Sequence, residues 1–195
     1  MEKVITDKRY LKSKIAIEKA IEKLYETGKA ITSITVSEIT KLANIARKTF
    51  YLHYVDLNDF FTQSINEKID YLSKNYLDTN TVDFYETLSN FFVQLTVVLR
   101  ENNMIKMLLT NEQYSAIIFE KLKVAIKKYL VKHPDSASLD EYGQEFFTAG
   151  VLYTYRYWLK NTSNKNNIED IKKDINSFTN KLKYIINDNL CIFNN

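Results

Sequence analysis

Side chains suited to nucleophilic, acid–base or metal chemistry are scarce in this 195-residue chain. It has two histidines, His53 and His133, and one cysteine, Cys191, all far apart in the sequence. Catalytic and metal sites bring several such groups together at characteristic spacings, but the sequence has no Cys/His cluster, no serine or cysteine nucleophile motif and no Walker motif. It therefore predicts a protein that is not an enzyme, holds no metal and requires no cofactor.

The residues best suited to a polyanionic partner fall in one run of twenty, from Thr35 to Tyr54. Arg47 and Lys48 are candidates for direct readout of bases, because arginine can pair in bidentate fashion with O6 and N7 of guanine. Thr35 and Ser37 stand where a helix is predicted to begin, so their hydroxyls can donate to a phosphate at that end. The run predicts contacts with double-stranded DNA.

The charge distribution favours the same partner. Residues 1–54 carry 11 basic and 6 acidic side chains, a net charge of +5, whereas residues 55–195 carry 16 and 18, a net charge of −2. A basic N-terminal region on a slightly acidic body indicates that this region faces a nucleic acid. The alternative is ordinary fluctuation in composition, since five charges are a modest excess.

The elements that must position these side chains are helices. Three glycines and one proline are too few for the turns of a β-sandwich or the glycine-rich loop of a Rossmann fold, so we predict an all-α fold of about nine helices. Apolar periodicity places them near 8–27, 36–43, 47–53, 57–76, 81–100, 103–110, 112–132, 140–161 and 168–190. The short second and third helices, joined by a tight turn at Asn44, form a helix-turn-helix.

Local signals predict where the first helices begin and end. Gly28 is the expected C-terminal stop of the first helix, Thr35 and Glu38 complete a capping box for the second, and Asp56 can cap the fourth. The side chains predicted to face inward from the second and third helices are Val36, Ile39, Leu42, Ala43, Ile45, Phe50 and Tyr54.

Residues 8–65 strongly resemble the DNA-binding domain of the TetR family of bacterial transcriptional regulators. The resemblance rests on Gly28, on Thr35-Val36 at the entry to the second helix, and on the run Thr49-Phe50-Tyr51-Leu52-His53-Tyr54 in the third. It implies that Thr49, Tyr51 and His53 contact phosphate, which completes a predicted DNA-binding set of Thr35, Ser37, Arg47, Lys48, Thr49, Tyr51 and His53. The sequence departs from the family pattern where a turn glycine, a capping serine and a phosphate-binding lysine are replaced by Asn44, Ala46 and Leu57.

The run from Phe146 to Asn161 resembles the C-terminal domain of a Firmicutes-type TetR subgroup, with a small Ala149-Gly150 pair and Trp158 near its end. In that family the last two helices of each subunit form a four-helix dimer interface, and a glycine inside a helix indicates close helix packing. The resemblance thus implies an interface made of Gly150, Tyr157, Trp158, Ile171, Ile175, Phe178 and Leu182.

Aromatic and methionine side chains of the C-terminal part are candidates for an effector pocket between helices, with plain core packing as the alternative for each. The candidates are Phe84, Phe91, Met104, Met107, Tyr114, Phe119, Phe146 and Tyr153. A small, largely apolar ligand bound there would shift the fourth helix and change the separation of the two recognition helices in a dimer.

Together these observations predict a DNA-binding transcriptional regulator with a helix-turn-helix domain at 1–55 and an effector-binding and dimerisation domain at 56–195. The resemblance to the TetR family implies that it acts as a repressor. A homodimer would read a palindromic operator, since recognition helices one DNA turn apart match a palindrome, and a small-molecule effector would release it. The alternative is a helical adaptor that acts through a protein partner and has little or no DNA binding of its own. One cysteine, no signal sequence and no apolar run of about 20 residues predict a cytoplasmic protein without a membrane partner.

Overall fold

The computed structural model describes residues 8–78, 83–133, 139–161 and 167–189, apart from the side chains of Leu182 and residues 184–189. Within these ranges the protein is all-helical, as predicted. The helices are α1 (Lys8–Glu26), α2 (Val36–Leu42), α3 (Arg47–Tyr51), α4 (Leu57–Tyr76), α5 (Phe84–Glu101), α6 (Asn103–Thr110), α7 (Glu112–Lys132), α8 (Glu141–Asn161) and α9 (Ile168–Asn189). None of these helices is long and apolar enough to cross a lipid bilayer.

The predicted end signals operate at α1, α2 and α4. Gly28 follows α1 with a φ of +82°, and its N–H donates to the Tyr25 carbonyl at 2.9 Å. Thr35 and Glu38 form the capping box of α2, and Asp56 Oδ1 accepts the N–H of Asp59 at 2.8 Å in the first turn of α4. The sequence patterns therefore act locally, as capping chemistry requires.

The helices form two compact units. The first contains the described residues of Met1–Ile65 and Asn102–Ala116, and the second contains those of Asn66–Glu101 and Ile117–Asn195. This division differs from the predicted domains 1–55 and 56–195, because segments distant in sequence complete the first unit. There α6 packs against α1, and the Tyr114 ring lies 5.1 Å from that of Phe61.

The core of the first unit is centred on aromatic rings. Phe50 of α3 is fully buried, with its centroid 5.4 Å from that of Tyr54, which in turn lies 4.9 Å from Phe60. The Tyr54 hydroxyl donates to the Tyr10 hydroxyl at 3.1 Å, and burial raises the pKa of Tyr54. Leu42 differs from its predicted inward position, because it is the last residue of α2 and lies exposed.

The core of the second unit is built around α5, which packs against α9. Ser89 donates a hydrogen bond to the Asn176 side chain, and the rings of Phe92 and Phe178 lie 6.3 Å apart. Tyr155 of α8 is fully buried, with its hydroxyl oxygen 2.9 Å from Thr96 Oγ1. These contacts cover the inner faces of α8 and α9 with residues of the same chain.

Candidate nucleic-acid interface

The turn between α2 and α3 is held by a residue in the left-handed conformation. Asn44 has a φ of +53°. A hydrogen bond from the Ile45 N–H to the Thr40 carbonyl, at 3.0 Å, closes the turn around it. Asparagine reaches this conformation at lower cost than most side chains, so it can replace the glycine expected from the family pattern. The helix-turn-helix is therefore complete despite this departure.

Helix α3 is short and is anchored from one side. It begins at Arg47 after Ala46, whose side chain makes no capping hydrogen bond. It ends at Tyr51, two residues before the predicted end at His53. Phe50 and Tyr54 point into the core, as predicted. Since residues four apart share a helix face, this anchoring turns positions 47, 48, 51 and 52 away from the core.

The structure brings five of the seven predicted DNA-binding residues together on α3 and the turn that follows it. Arg47, Lys48, Tyr51 and His53 are exposed, and Thr49 is half-buried. The other two, Thr35 and Ser37, are exposed around the start of α2. The interface is thus a cationic, hydroxyl-bearing and aromatic surface, which suits the grooves and phosphates of a duplex.

Two residues from outside the predicted set orient this surface. Tyr10 of α1 packs edge-on against His53, with ring centroids 4.7 Å apart, and the Phe50 ring meets that of Tyr51 edge-on at 5.4 Å. No sequence pattern indicates this role for Tyr10. Its contact with His53 spans 43 positions and arises only from the packing of α1 against the segment that follows α3.

The Thr35 hydroxyl does not point its hydrogen outward, as donation to a phosphate would require. Its hydroxyl donates to Glu38 Oε2 at 2.7 Å, and its oxygen accepts the Glu38 N–H at 3.3 Å. The donor needed for a phosphate is therefore already used in the capping box. Glu38 also pairs with Lys29, and this contact, together with the hydrogen bond from Thr35, lowers the pKa of Glu38 to about 2.

The predicted effector-pocket residues are divided between the two units. Met104, Met107 and Tyr114 lie buried in the first unit, whereas Phe84 and Phe91 are buried in the core of the second. Phe119 is half-buried beneath the guanidinium of Arg156, which stands 5.0 Å from the ring centroid. The remaining two, Phe146 and Tyr153, are 82% and 75% exposed on the outer face of α8 and line no cavity within the described part of their own unit.

A groove in the second unit has none of the predicted pocket residues in its walls. It has a volume of about 300 Å³ and lies between the second halves of α4 and α7, with Asn66, Ile69, Ser73, Leu77, Lys121 and Tyr129 among its lining side chains. Asn66 is one of the lining residues, and its side-chain oxygen is buried without a hydrogen-bond partner among the described residues. A buried, unpaired carbonyl oxygen can accept a hydrogen bond from a ligand.

The predicted dimer residues also separate into two groups. Ile171 and Ile175 are buried within the chain on α9, which packs on α5, so their side chains already have partners in their own unit. Phe178 and Trp158 are half-buried, and Trp158 Nε1 donates to Asp174 of α9 at 3.1 Å. Gly150 and Tyr157 lie exposed on α8, whereas the Leu182 side chain is outside the described residues.

Solved structures, but not sequence comparisons, identify the fold of this chain. A scan of protein-family models and a sequence search of curated proteins give no match. A transcriptional regulator of the TetR/AcrR family from Aquifex aeolicus VF5 is 23% identical, with 89% of this chain and 99% of that chain covered and a TM-score of 0.61.

Two further solved structures agree. A TetR transcriptional regulator from Streptococcus agalactiae 2603V is 20% identical over 91% of this chain and 99% of that chain, with a TM-score of 0.60. The fatty acid degradation regulator FadR from Bacillus halodurans is 15% identical over 87% of this chain and 97% of that chain, with a TM-score of 0.62. The protein therefore has the fold of TetR/AcrR transcriptional regulators, and these neighbours are regulators rather than enzymes.

Proposed function

We propose that this protein is a DNA-binding transcriptional repressor that binds a palindromic operator as a homodimer and is released by a small-molecule effector. The observation that carries the proposal is the outward face of α3, where Arg47 and Lys48 project from a helix anchored by Phe50. An α-helix of this kind fits the major groove, and side chains of its first turn reach the base edges. The shared fold with transcriptional regulators supports the same assignment.

Within the interface, we assign base readout to Arg47 and Lys48 and phosphate contacts to Ser37, Thr49, Tyr51 and His53. Tyr51 and His53 are exposed while their rings pack on Phe50 and Tyr10, so their polar atoms are held in position. Such contacts fix the register of a protein on the duplex without reading its sequence. Thr35 would join them after its hydroxyl rotates away from Glu38.

The homodimer is supported by a row of exposed side chains on α8, here called the α8 stripe: Tyr142, Phe146, Gly150, Tyr153 and Tyr157. They recur at three- and four-residue intervals and so occupy one helix face. The four aromatic members are all strongly exposed, and a Cβ built on Gly150 would meet no atom of the described residues within 4 Å beyond its own stretch of helix. Large exposed apolar patches mark interaction sites, and a second copy offers the same face in reverse.

The effector proposal is supported by the groove beside Asn66. Its volume of about 300 Å³ is the lower end of the range for small-molecule sites. Asn66 lines this groove, and rotation of its side chain would present the buried, unpaired oxygen as an acceptor, so a small ligand with one donor group is the best match. A ligand panel can be screened by the shift in melting temperature, with Asn66→Leu as the variant that removes the acceptor.

Selection of bound sequences from random duplexes tests the DNA-binding proposal directly. We expect an enriched palindrome whose affinity falls steeply with salt, because bound phosphates release counterions. No enriched sequence, together with binding to a protein partner that salt leaves unchanged, would instead favour the helical adaptor.

Single substitutions then separate readout from positioning. Arg47→Ala should cost about 1–3 kcal/mol at one position of the half-site and relax the base preference there. His53→Ala should weaken binding to all sequences alike. Lys106→Ala is the control for Arg47→Ala, because it also removes one positive charge, from an exposed site on α6 of the same unit. If Arg47→Ala leaves the base preference intact, the readout assignment is wrong.

A further inference from the structure

Helix α3 presents an apolar turn directly after its cationic turn. Leu52 is 67% exposed, and its N–H donates to the Lys48 carbonyl at 3.0 Å, so it stands one helical turn beyond Lys48 on the same face. Tyr51, which is 57% exposed, stands in the same relation to Arg47. The outward surface is therefore cationic in the first turn of α3, and one turn further on it carries an aromatic ring at Tyr51 and an aliphatic side chain at Leu52.

The fold does not account for an exposed leucine at this position. Phe50 and Tyr54 on either side supply the buried contacts of this segment with the core. Leu52 has helical backbone angles, φ −72° and ψ −21°, which every L residue adopts readily. A polar residue would therefore serve the folded chain equally well. What distinguishes Leu52 from other exposed apolar residues is its place one turn beyond Lys48, on the face that carries the cationic side chains.

A partner recognised by this surface must match its charge and its apolar turn together. Arg47 and Lys48 match a polyanion, and the major groove of DNA offers one ordinary apolar group, the C5-methyl of thymine, beside hydrogen-bonding edges. We infer that Leu52 is a specificity-determining residue that packs on a thymine methyl, one turn along the recognition helix from the base contacts of Arg47 and Lys48. The inference rests on the proposed function, and it adds a residue and a base to it.

Uracil substitution tests the inference without altering the protein. Each thymine of the selected duplex is replaced in turn by uracil, which removes only the C5-methyl, and the dissociation constant is measured by fluorescence anisotropy. At one position in each half-site we expect affinity to fall about fourfold, the factor that burial of one methyl-sized group gives. Replacement in both half-sites should multiply the two losses.

The variant Leu52→Ala identifies the side chain responsible. It should bind the thymine duplex about fourfold more weakly per half-site and show no further loss with uracil at the sensitive position. Val131→Ala on α7 trims a side chain of nearly equal exposure, 66%, and should leave the uracil penalty unchanged. Circular dichroism melts of both variants establish that they are folded.

Each outcome decides between the two proposals. If a palindrome is selected but uracil is tolerated at every position, the contact is refuted while the proposed function stands. A uracil penalty that persists in Leu52→Ala assigns the methyl to another residue and also refutes the inference. If no duplex is selected at all, the proposed function fails, and the methyl contact fails with it.

Discussion

In the proposed homodimer, the α8 stripe would make association sensitive to a single exposed side chain. An aromatic residue buries roughly 200 Å² when it is fully covered. The four aromatic members are 63–84% exposed, so together they leave roughly 600 Å² uncovered. A twofold contact through this face would cover roughly 1,200 Å² in total, which reaches the lower end of stable interfaces.

We expect Tyr153→Ala to dissociate this dimer. Truncating a central aromatic residue of an interface commonly costs about 2 kcal/mol, and a twofold interface contains the residue twice. The total of about 4 kcal/mol raises the dimer dissociation constant about a thousandfold. The monomer should keep its stability within about 0.5 kcal/mol, because the site is on the surface of a helix and alanine is a strong helix former.

Sedimentation velocity over a range of protein concentrations measures this change. Tyr71→Ala is the matched control, because Tyr71 is an exposed tyrosine on α4 in the same unit and lies outside the stripe. The control should sediment like the wild type. An unchanged dissociation constant for Tyr153→Ala, or a wild-type chain that stays monomeric at high concentration, would refute the assignment of this face.

Three further predictions concern stability and are checked by chemical denaturation. Tyr155→Phe should lower the free energy of unfolding by about 1 kcal/mol, because it removes the bond to Thr96 from the core; an unchanged value would contradict this bond. Hydrogen bonds from Lys123, which has the larger effect, and from Lys127 lower the pKa of Glu145 from 4.5 to about 2. The stabilisation that these contacts give the folded chain is therefore present above about pH 4.5 and is lost as the pH falls towards 2. The stability of Glu145→Gln should accordingly converge with that of the wild type on acidification. Asn44→Val should cost about 1–2 kcal/mol at a φ of +53°, whereas Asn44→Gly should be tolerated.

The sequence predicted most where structure depends on neighbours along the chain. Helix periodicity separated the buried Phe50 and Tyr54 from the exposed Arg47 and Lys48, and capping chemistry located the start of α2. These features depend on residues within one or two helical turns, which the sequence displays directly. The all-α fold followed from the same short-range patterns.

The sequence could not predict which partner covers an apolar face. Ile171 and Ile175 seemed suited to a dimer but are buried in their own unit, whereas Phe146 and Tyr153 seemed suited to a pocket but lie on the outside. Periodicity identifies residues that share a face, and the choice between the same chain, a ligand and a second copy depends on tertiary packing. The pairing of Lys29 with Glu38 is missed for the same reason, since the loop between α1 and α2 brings them together.

The brevity of α3 has a consequence for its dynamics. Five residues form too few internal hydrogen bonds to offset the cost of helix nucleation, so α3 is ordered by the burial of Phe50. The amides of Leu52 and Tyr54 are bonded to the carbonyls of Lys48 and Phe50, so we expect their exchange with solvent to slow while that ring stays in the core. Their hydrogen-exchange rates report the opening of the first unit, and any molecule that meets this surface encounters a helix already formed.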